Sequence, residues 1–304
     1  MVLAEFWMTK IYFLIVNYNS SDLVARLIES IADREHYQVV IINNSPQNRR
    51  ILKFNNNLIK IIEPKENLGF GKACNLGLKW IHQEDRKAIV WTINPDTYFD
   101  SNPKDNRSPR HKAMSSTNLA IAFFEKHPQI SILGTAVYNS QGQIATVGGA
   151  FTPNTAALKN IDYLPEDLSQ DYIKTDWVSG CSLLLNLANF TKVPQFCDRY
   201  FLYYEDVDFC LRYSQQGHQI AVTHLLKVIH DTSSITNRNI LQKYRHITKS
   251  YLIHIEKYGS MKVFILTNIR MFLNTLRLII FKPQQGLGKA IGIYEYWQNR
   301  IANQ

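Results

Sequence analysis

Residues 10–31 read KIYFLIVNYNSSDLVARLIESI, and the two halves of that stretch follow different periods. Residues 10–16 form an unbroken apolar run rich in aromatic and β-branched side chains, the pattern of a strand buried on both faces. After the polar break NYNSS, Ser20 or Ser21 is placed to cap a helix that runs to about Ile31. Residues 38–42, QVVII, supply a second buried strand. Strand, helix, strand predicts a parallel pair, because parallel neighbours need a crossover that returns the chain to the same end of the sheet. The unit continues with a third strand at 58–62, a helix from Gly69 to about His82, and a fourth strand at 88–93 that runs straight into Asn94-Pro95-Asp96. Such sheets bind ligands beyond the carboxyl ends of their strands, so residues 17–19, 43–45 and 94–96 are expected along one rim.

Further on, the texture changes. Residues 100–112 (DSNPKDNRSPRHK) read as a polar, proline-containing loop and 114–126 as a helix. From Ile130, short apolar runs broken by Gly and Asn suggest antiparallel strands or a hairpin, 153–174 reads as another loop, and 176–185 (DWVSGCSLLL) as a further apolar strand.

At 304 residues, with 45% hydrophobic and 19% charged residues, the chain is suited to a large core and not to extended disorder. Its net charge of +9 points to an anionic partner: a nucleotide, an anionic lipid or a nucleic acid. With no RNP, helix-turn-helix or zinc motif, the charge is better assigned to phosphate and membrane, and no nucleic acid partner is expected. Cys74, Cys181, Cys197 and Cys210 stand apart without a CxxC pair, which argues against a zinc site or disulfide framework and for reduced thiols in a cytoplasmic protein. The apolar start lacks a basic leader region and reads as the first core strand.

The segment richest in chemistry is FLYYEDVDFCLR, 201–212, where Glu205, Asp206 and Asp208 sit among aromatic residues. Neighbouring carboxylates near apolar bulk push each other's pKa values apart, so that one accepts a proton near neutral pH. An acidic first turn equally suits a helix start, with Phe209, Leu211 and Tyr213 turned to the core. Asn94-Pro95-Asp96 upstream and His230 downstream, each after an apolar run, favour chemistry.

These pieces, with ENLGFGKACNLG at 66–77, WVSGCSLLL at 177–185 and VIHDTSS at 228–234, stand in an order and spacing that resemble the inverting glycosyltransferases of family 2, especially their bacterial rhamnosyltransferase-like branch. The resemblance covers about residues 10–235. It implies an α/β GT-A fold, a Rossmann-like mixed sheet flanked by helices, over a catalytic domain at 1–240; residues 241–304, beyond the resemblance, read as a C-terminal helical extension. It also implies a nucleotide-diphosphate sugar donor, a saccharide or lipid-linked acceptor, and a divalent cation, Mg²⁺ or Mn²⁺.

Residue by residue, the family pattern makes Asp206 the base that deprotonates the acceptor hydroxyl, with Glu205 positioning the acceptor. Asp96 becomes the metal ligand, His230 completes the metal or diphosphate site, and Asn94 stands where the family's first carboxylate does. Gly69, Lys72 and Asn75 match the phosphate-facing segment, Trp177 and Gly180 the loop beside the donor sugar, and Asn17 and Tyr18 the first-strand exit. Asn43 replaces an aspartate that reads the nucleobase, and an amide both donates and accepts where a carboxylate only accepts. Blander readings accompany several of these: a strand-ending turn at 94–96, a helix-entry turn at Gly69, a core tryptophan at 177, and sheet-edge packing for Tyr18. Asp208 and Arg212 read as structural, the latter an i, i+4 partner.

Because Asn43 and Asn94 both replace carboxylates, a catalytically silent nucleotide-sugar or carbohydrate-binding relative is the alternative. A nucleotidyltransferase would need a glycine- and basic-rich phosphate loop near the N-terminus, and VNYNSSDL is not one. In the C-terminal third, Thr267, Arg270, Asn274 and Arg277 form one polar stripe on an otherwise apolar helix. Two arginines and two asparagines argue against a simple membrane span. The stripe suits a basic amphipathic helix lying peripherally on the inner face of the plasma membrane, or a helix docked on the catalytic domain or in a homodimer. A basic tail with Lys282, Lys289 and Arg300 is expected after it.

Overall fold

The computed structural model describes residues 10–31, 37–99, 114–164, 167–231 and 239–302. The expected loop at 100–112 and the end of VIHDTSS lie outside them. Strands β1 (Ile11–Asn17), β2 (Tyr37–Asn43), β3 (Ile59–Ile62) and β4 (Ile89–Ile93) are parallel neighbours in the order β3-β2-β1-β4. Beyond β4 the sheet becomes mixed. β11 (Ser182–Asn186) runs antiparallel between β4 and β6 (Ile130–Tyr138), and β12 (Gln219–His230) lies parallel to β6 on its other side. The short β5 (Thr97–Tyr98) and β10 (Ile173–Lys174) pair with β12, β7 (Ile144–Thr146) pairs with β6, and β8 (Gly149–Thr152) and β9 (Ala157–Asn160) form a separate hairpin.

Alternation along each strand sorts the core into two layers. Ile11, Phe13 and Ile15 join Val39, Ile41, Trp91 and Ile93 on one face, while Tyr12, Leu14 and Val16 join Val40, Ile42 and Val90 on the other. Helices α1 (Ser21–Ser30) and α3 (Ser116–Lys126) cover the first face through Val24, Leu27, Leu119 and Phe123. Helices α2 (Phe70–Glu84) and α4 (Glu205–Gln215) cover the second through Ala73, Leu78, Phe209 and Cys210. Burial on both sides is why the central strands read as unbroken apolar runs.

Three expectations change. Only 182–186 of the apolar run at 176–185 is strand, because the Trp177 backbone pairs with Gly149 of the β8 hairpin and the Gly180 N–H is drawn to the Asp206 carboxylate. The stretch 153–174 contains β9 and β10. After α5 (Ile240–Tyr258) and α6 (Met261–Phe281), the expected tail is instead a third helix, α7 (Pro283–Ala302). Gly288 and Gly292 explain it: a Cβ on either would lie 2.4 Å from the Leu241 or Arg245 carbonyl oxygen, so only glycine lets α7 settle this closely on α5.

The C-terminal helices are tied to the sheet domain through Asp208. Its buried carboxylate accepts hydrogen bonds from Lys257 Nζ (2.6 Å) and Tyr258 Oη (2.9 Å) of α5, and from Arg212 Nε (2.7 Å) within α4. A small core of Tyr200, Leu252, Ile253, Phe264, Met271 and Tyr296 joins the same elements.

Candidate active site

Parallel register sets Asn17 beside Asn43 at the ends of β1 and β2. Both are fully buried, and they bond to each other: Asn17 Nδ2 donates to Asn43 Oδ1 at 3.0 Å. Asn17 Oδ1 accepts from the backbone and hydroxyl of Ser20, while Asn43 Nδ2 donates to the Asn48 carbonyl and to Glu63. Both amides therefore brace the rim from within. The next residue, Asn44, is also buried, with its amide donating to Asn67 and the Gly69 carbonyl and accepting from Leu68 N, and it backs a cleft of about 460 Å³ lined also by Tyr18, Gly69, Asn94, Asp96 and Phe201.

Helix α5 forms the opposite wall with Lys243, Arg245, His246 and Lys249. Burial and the adjacent Arg245 bring His246 down to about 4, so it presents a neutral ring stacked 4.6 Å from Phe201. The sequence reading missed this wall, because helix periodicity does not show which face of α5 meets the sheet rim.

Asp96 stands at the turn after β4, nearly buried, with Oδ1 3.1 Å from His230 Nε2. The pairing of β5 with the end of β12 brings these residues together across 134 positions of sequence. Burial disfavours the imidazolium, but hydrogen bonding to Asp96 and to Cys181 outweighs it and raises His230 to about 10. An oxygen and a nitrogen at this separation match the edge of an octahedron, about 3 Å for bonds of about 2.1 Å. Among the described residues no group of three His, Cys, Asp or Glu side chains gathers. The chain thus offers the Asp96 carboxylate and, once His230 gives up the proton it holds to about pH 10, one imidazole nitrogen; such a set suits a hard divalent ion that retains waters and takes its remaining oxygens from substrate phosphates.

Asp206 meets the loop that precedes β11. Gly180 N donates to its Oδ2 and Val207 N to its Oδ1, each at 2.8 Å. Burial raises its pKa and these N–H groups partly offset the rise. Cys181, next along, accepts a hydrogen bond from Asn94 N at its carbonyl and turns its thiol to His230. The two acidic centres therefore grip consecutive residues of one loop, Gly180-Cys181. A side chain at 180 would crowd Asp206, since a Cβ there would lie 3.3 Å from Oδ2. The turn into α4 places Tyr203 and Tyr204 at φ of 72° and 67°. Left-handed non-glycine residues cost on the order of 1–3 kcal/mol each, and here they aim the acidic turn.

Glu205, expected at the acceptor, points inward instead. It is 5% exposed and lies against Gly71 and Cys74 of α2. Burial and then the Asp206 charge raise it to about 8. Lys72 lines a neighbouring cleft with Arg199 and Arg300 rather than the cleft of Asp96. Asn75 clasps the backbone of Phe196, donating to its carbonyl and accepting from its N–H. The close backbone approach at Gly69 is to the chain itself: φ is +78°, and a Cβ would lie 2.2 Å from the Phe201 carbonyl oxygen. Trp177 lays its indole over Gly149, where a Cβ would come within 2.1 Å of the ring.

Residues 12–104 match the family model "Glycosyl transferase family 2". The low-salt glycan biosynthesis hexosyltransferase Agl10 of Haloferax volcanii is 24% identical over 220 residues, 72% of this chain and 66% of that protein. The rhamnosyltransferase WbbL of Escherichia coli is 23% identical over 238 residues, 72% of this chain and 84% of that protein. Among solved structures, GalNAc-T7 with UDP, GalNAc and Mn²⁺ superposes with a TM-score of 0.54 at 13% identity, over 73% of this chain and 43% of that one. The chain thus spans a little under two thirds of the first relative and less than half of the solved structure. The parallel β3-β2-β1-β4 half, the mixed extension and the flanking helices make the fold GT-A. In its family-model match over residues 12–104, its relatives and this architecture, the chain is similar to the family 2 glycosyltransferases.

Proposed function

We propose that the chain transfers a sugar from a nucleotide-diphosphate sugar to a hydroxyl of a saccharide or lipid-linked saccharide, with inversion at the anomeric carbon, in cell-surface polysaccharide synthesis. The observation that carries this reading is the convergence of Asp206 and the Asp96–His230 pair on the Gly180-Cys181 loop, with Asp96 opening onto the cleft. Similarity to a rhamnosyltransferase makes rhamnose the first donor sugar to test.

Asp206 takes the proton from the acceptor hydroxyl as it attacks; its burial raises the carboxylate's basicity, and the Gly180 N–H holds its orientation. Asp96 and His230 would hold Mg²⁺ or Mn²⁺, which supplies positive charge to the departing diphosphate. Lys243 of α5, with Arg245 and Lys249 that share Glu295 of α7, gives the cleft wall a net positive charge, a part assigned to Lys72 from sequence. Glu205 acts through its neighbour: held neutral, it adds no second charge beside Asp206. Tyr18, nearly half exposed at the cleft, is assigned the nucleotide in place of the buried Asn43. The reading puts the chain in the cytoplasm, at the inner face of the plasma membrane, with a homodimer as a further possible assembly. The silent-relative alternative draws on Asn43 and Asn94.

A nucleotide-sugar panel, read by thermal shift with and without Mn²⁺, selects the donor. Asp206→Asn is then expected to bind that donor with near-parental affinity by calorimetry while transfer falls by roughly 10²-fold or more. Transfer at parental rate removes Asp206 from the mechanism. Donor binding with no transfer by the parent to any acceptor supports the silent relative.

A further inference from the structure

Helix α6 carries two apolar faces, and the protein uses one. Phe264, Met271 and Thr275 are buried against the neighbouring helices. On the other side Ile265, Ile269, Phe272, Leu273, Leu276 and Ile280, spaced i, i+4, i+7, i+8, i+11 and i+15, are each 47–76% exposed. Arg270 and Arg277 stand exposed along one border of this stripe, and Lys282 follows the last turn. The helix contains no acidic residue.

We infer that this face is a docking surface for an anionic lipid bilayer, with α6 lying in the plane of the interface. An exposed stripe of this length needs an apolar partner, and the charge beside it selects which. In a symmetric pair of copies the same basic border would enter the interface twice, with no acidic side chain on α6 to meet it. Anionic headgroups meet it directly, while the arginine stems lie along the apolar boundary. A spanning orientation conflicts with the packing. Asn274 accepts a hydrogen bond from Lys289 of α7, and α7 is seated on α5 through Gly288 and Gly292, so α6 cannot cross the bilayer without leaving its neighbours.

The docked pose also deepens the acceptor reading, on which only this part rests. Helix α7 packs Gly286 against the backbone of Leu278 and Ile279 of α6, and presents Glu295 to the cleft of Asp96. One helix, at an interaxial spacing of about 8–10 Å, therefore separates the membrane face from the cleft wall, within reach of a lipid-linked acceptor.

The test is sedimentation with vesicles, without donor or acceptor, so its outcome is independent of transferase activity. The full chain is expected to sediment with phosphatidylcholine vesicles containing phosphatidylglycerol and far less with phosphatidylcholine alone. Arg270→Ala/Arg277→Ala is expected to weaken anionic-vesicle binding about 30-fold, each basic side chain contributing about fivefold. Phe272→Glu/Leu276→Glu, both at exposed positions, should abolish binding with an unchanged circular dichroism spectrum and melting temperature. The inference is overturned if the parent stays in the supernatant with anionic vesicles, if it resists alkaline carbonate extraction as a spanning helix does, or if Phe272→Glu/Leu276→Glu splits a dimer without altering vesicle binding.

Discussion

Replacing Glu205 by glutamine keeps the side chain's shape and removes its proton equilibrium, which turns an inward-facing carboxyl into a measurable pH dependence. Glu205 is buried between α2 and α4, its Oε2 has no hydrogen-bond partner among the described residues, and its pKa rises from 4.5 to about 8. A raised pKa means that the folded chain keeps a proton the unfolded chain has released. The stability held below pH 4.5 is therefore lost progressively as pH climbs to about 8. At 1.36 kcal/mol per pKa unit, that loss amounts to about 5 kcal/mol over the whole window. Glutamine has no proton to lose, so Glu205→Gln escapes this slope, and the titrations of groups not coupled to Glu205 cancel in the comparison. Urea unfolding of both proteins at half-unit intervals from pH 5 to 8 should show the variant gaining on the parent steadily, by about 3 kcal/mol or more between the ends. Curves that run parallel, or a relative gain that appears only on acidification, would refute the inward, protonated placement of Glu205.

Asp96→Ala is expected to abolish the Mn²⁺-dependent gain in nucleotide-sugar affinity measured by calorimetry; an undiminished gain in the variant removes Asp96 from the metal site. Gly69→Ala combines a left-handed backbone with a Cβ driven into the Phe201 carbonyl, and should cost about 2–4 kcal/mol in equilibrium unfolding. An unchanged midpoint shows that this close approach is not required. Asp208→Ala leaves Lys257, Arg212 and Tyr258 without their shared buried acceptor and should destabilise by about 3–5 kcal/mol. A loss below about 1 kcal/mol means the tie between α4 and α5 is not made through this carboxylate.

The parallel half of the sheet was legible in the sequence because strands buried on both faces must be apolar throughout, and the helices between them must show one apolar side. The rim followed from the same reasoning, as did the Asp208–Arg212 pair, whose spacing of four places both side chains on one helix face. Local pattern reaches no further than the element that carries it. How Asn43 and Asn44 are used depended on neighbouring elements, since the register with β1 gives Asn43 to Asn17 while the Asn44 amide holds Asn67, Leu68 and Gly69 ahead of α2. Glu205 and Asp206 are adjacent in sequence and equivalent in chemistry. Their opposite fates come from what packs on each: α2 covers one, and the Gly180 amide meets the other. Gly288 and Gly292 did carry a readable signal, two small residues four apart, but its meaning required a partner helix. Sequence by itself determined the strands and helices of the parallel half, their layering and the residue types available for chemistry, because those depend on periodicity and local backbone preference. Tertiary structure alone decided which carboxylate turns to α2 and which meets the Gly180 amide, which asparagines brace the rim and what forms the far wall of the cleft, because burial and hydrogen-bond satisfaction are set by atoms distant in the chain.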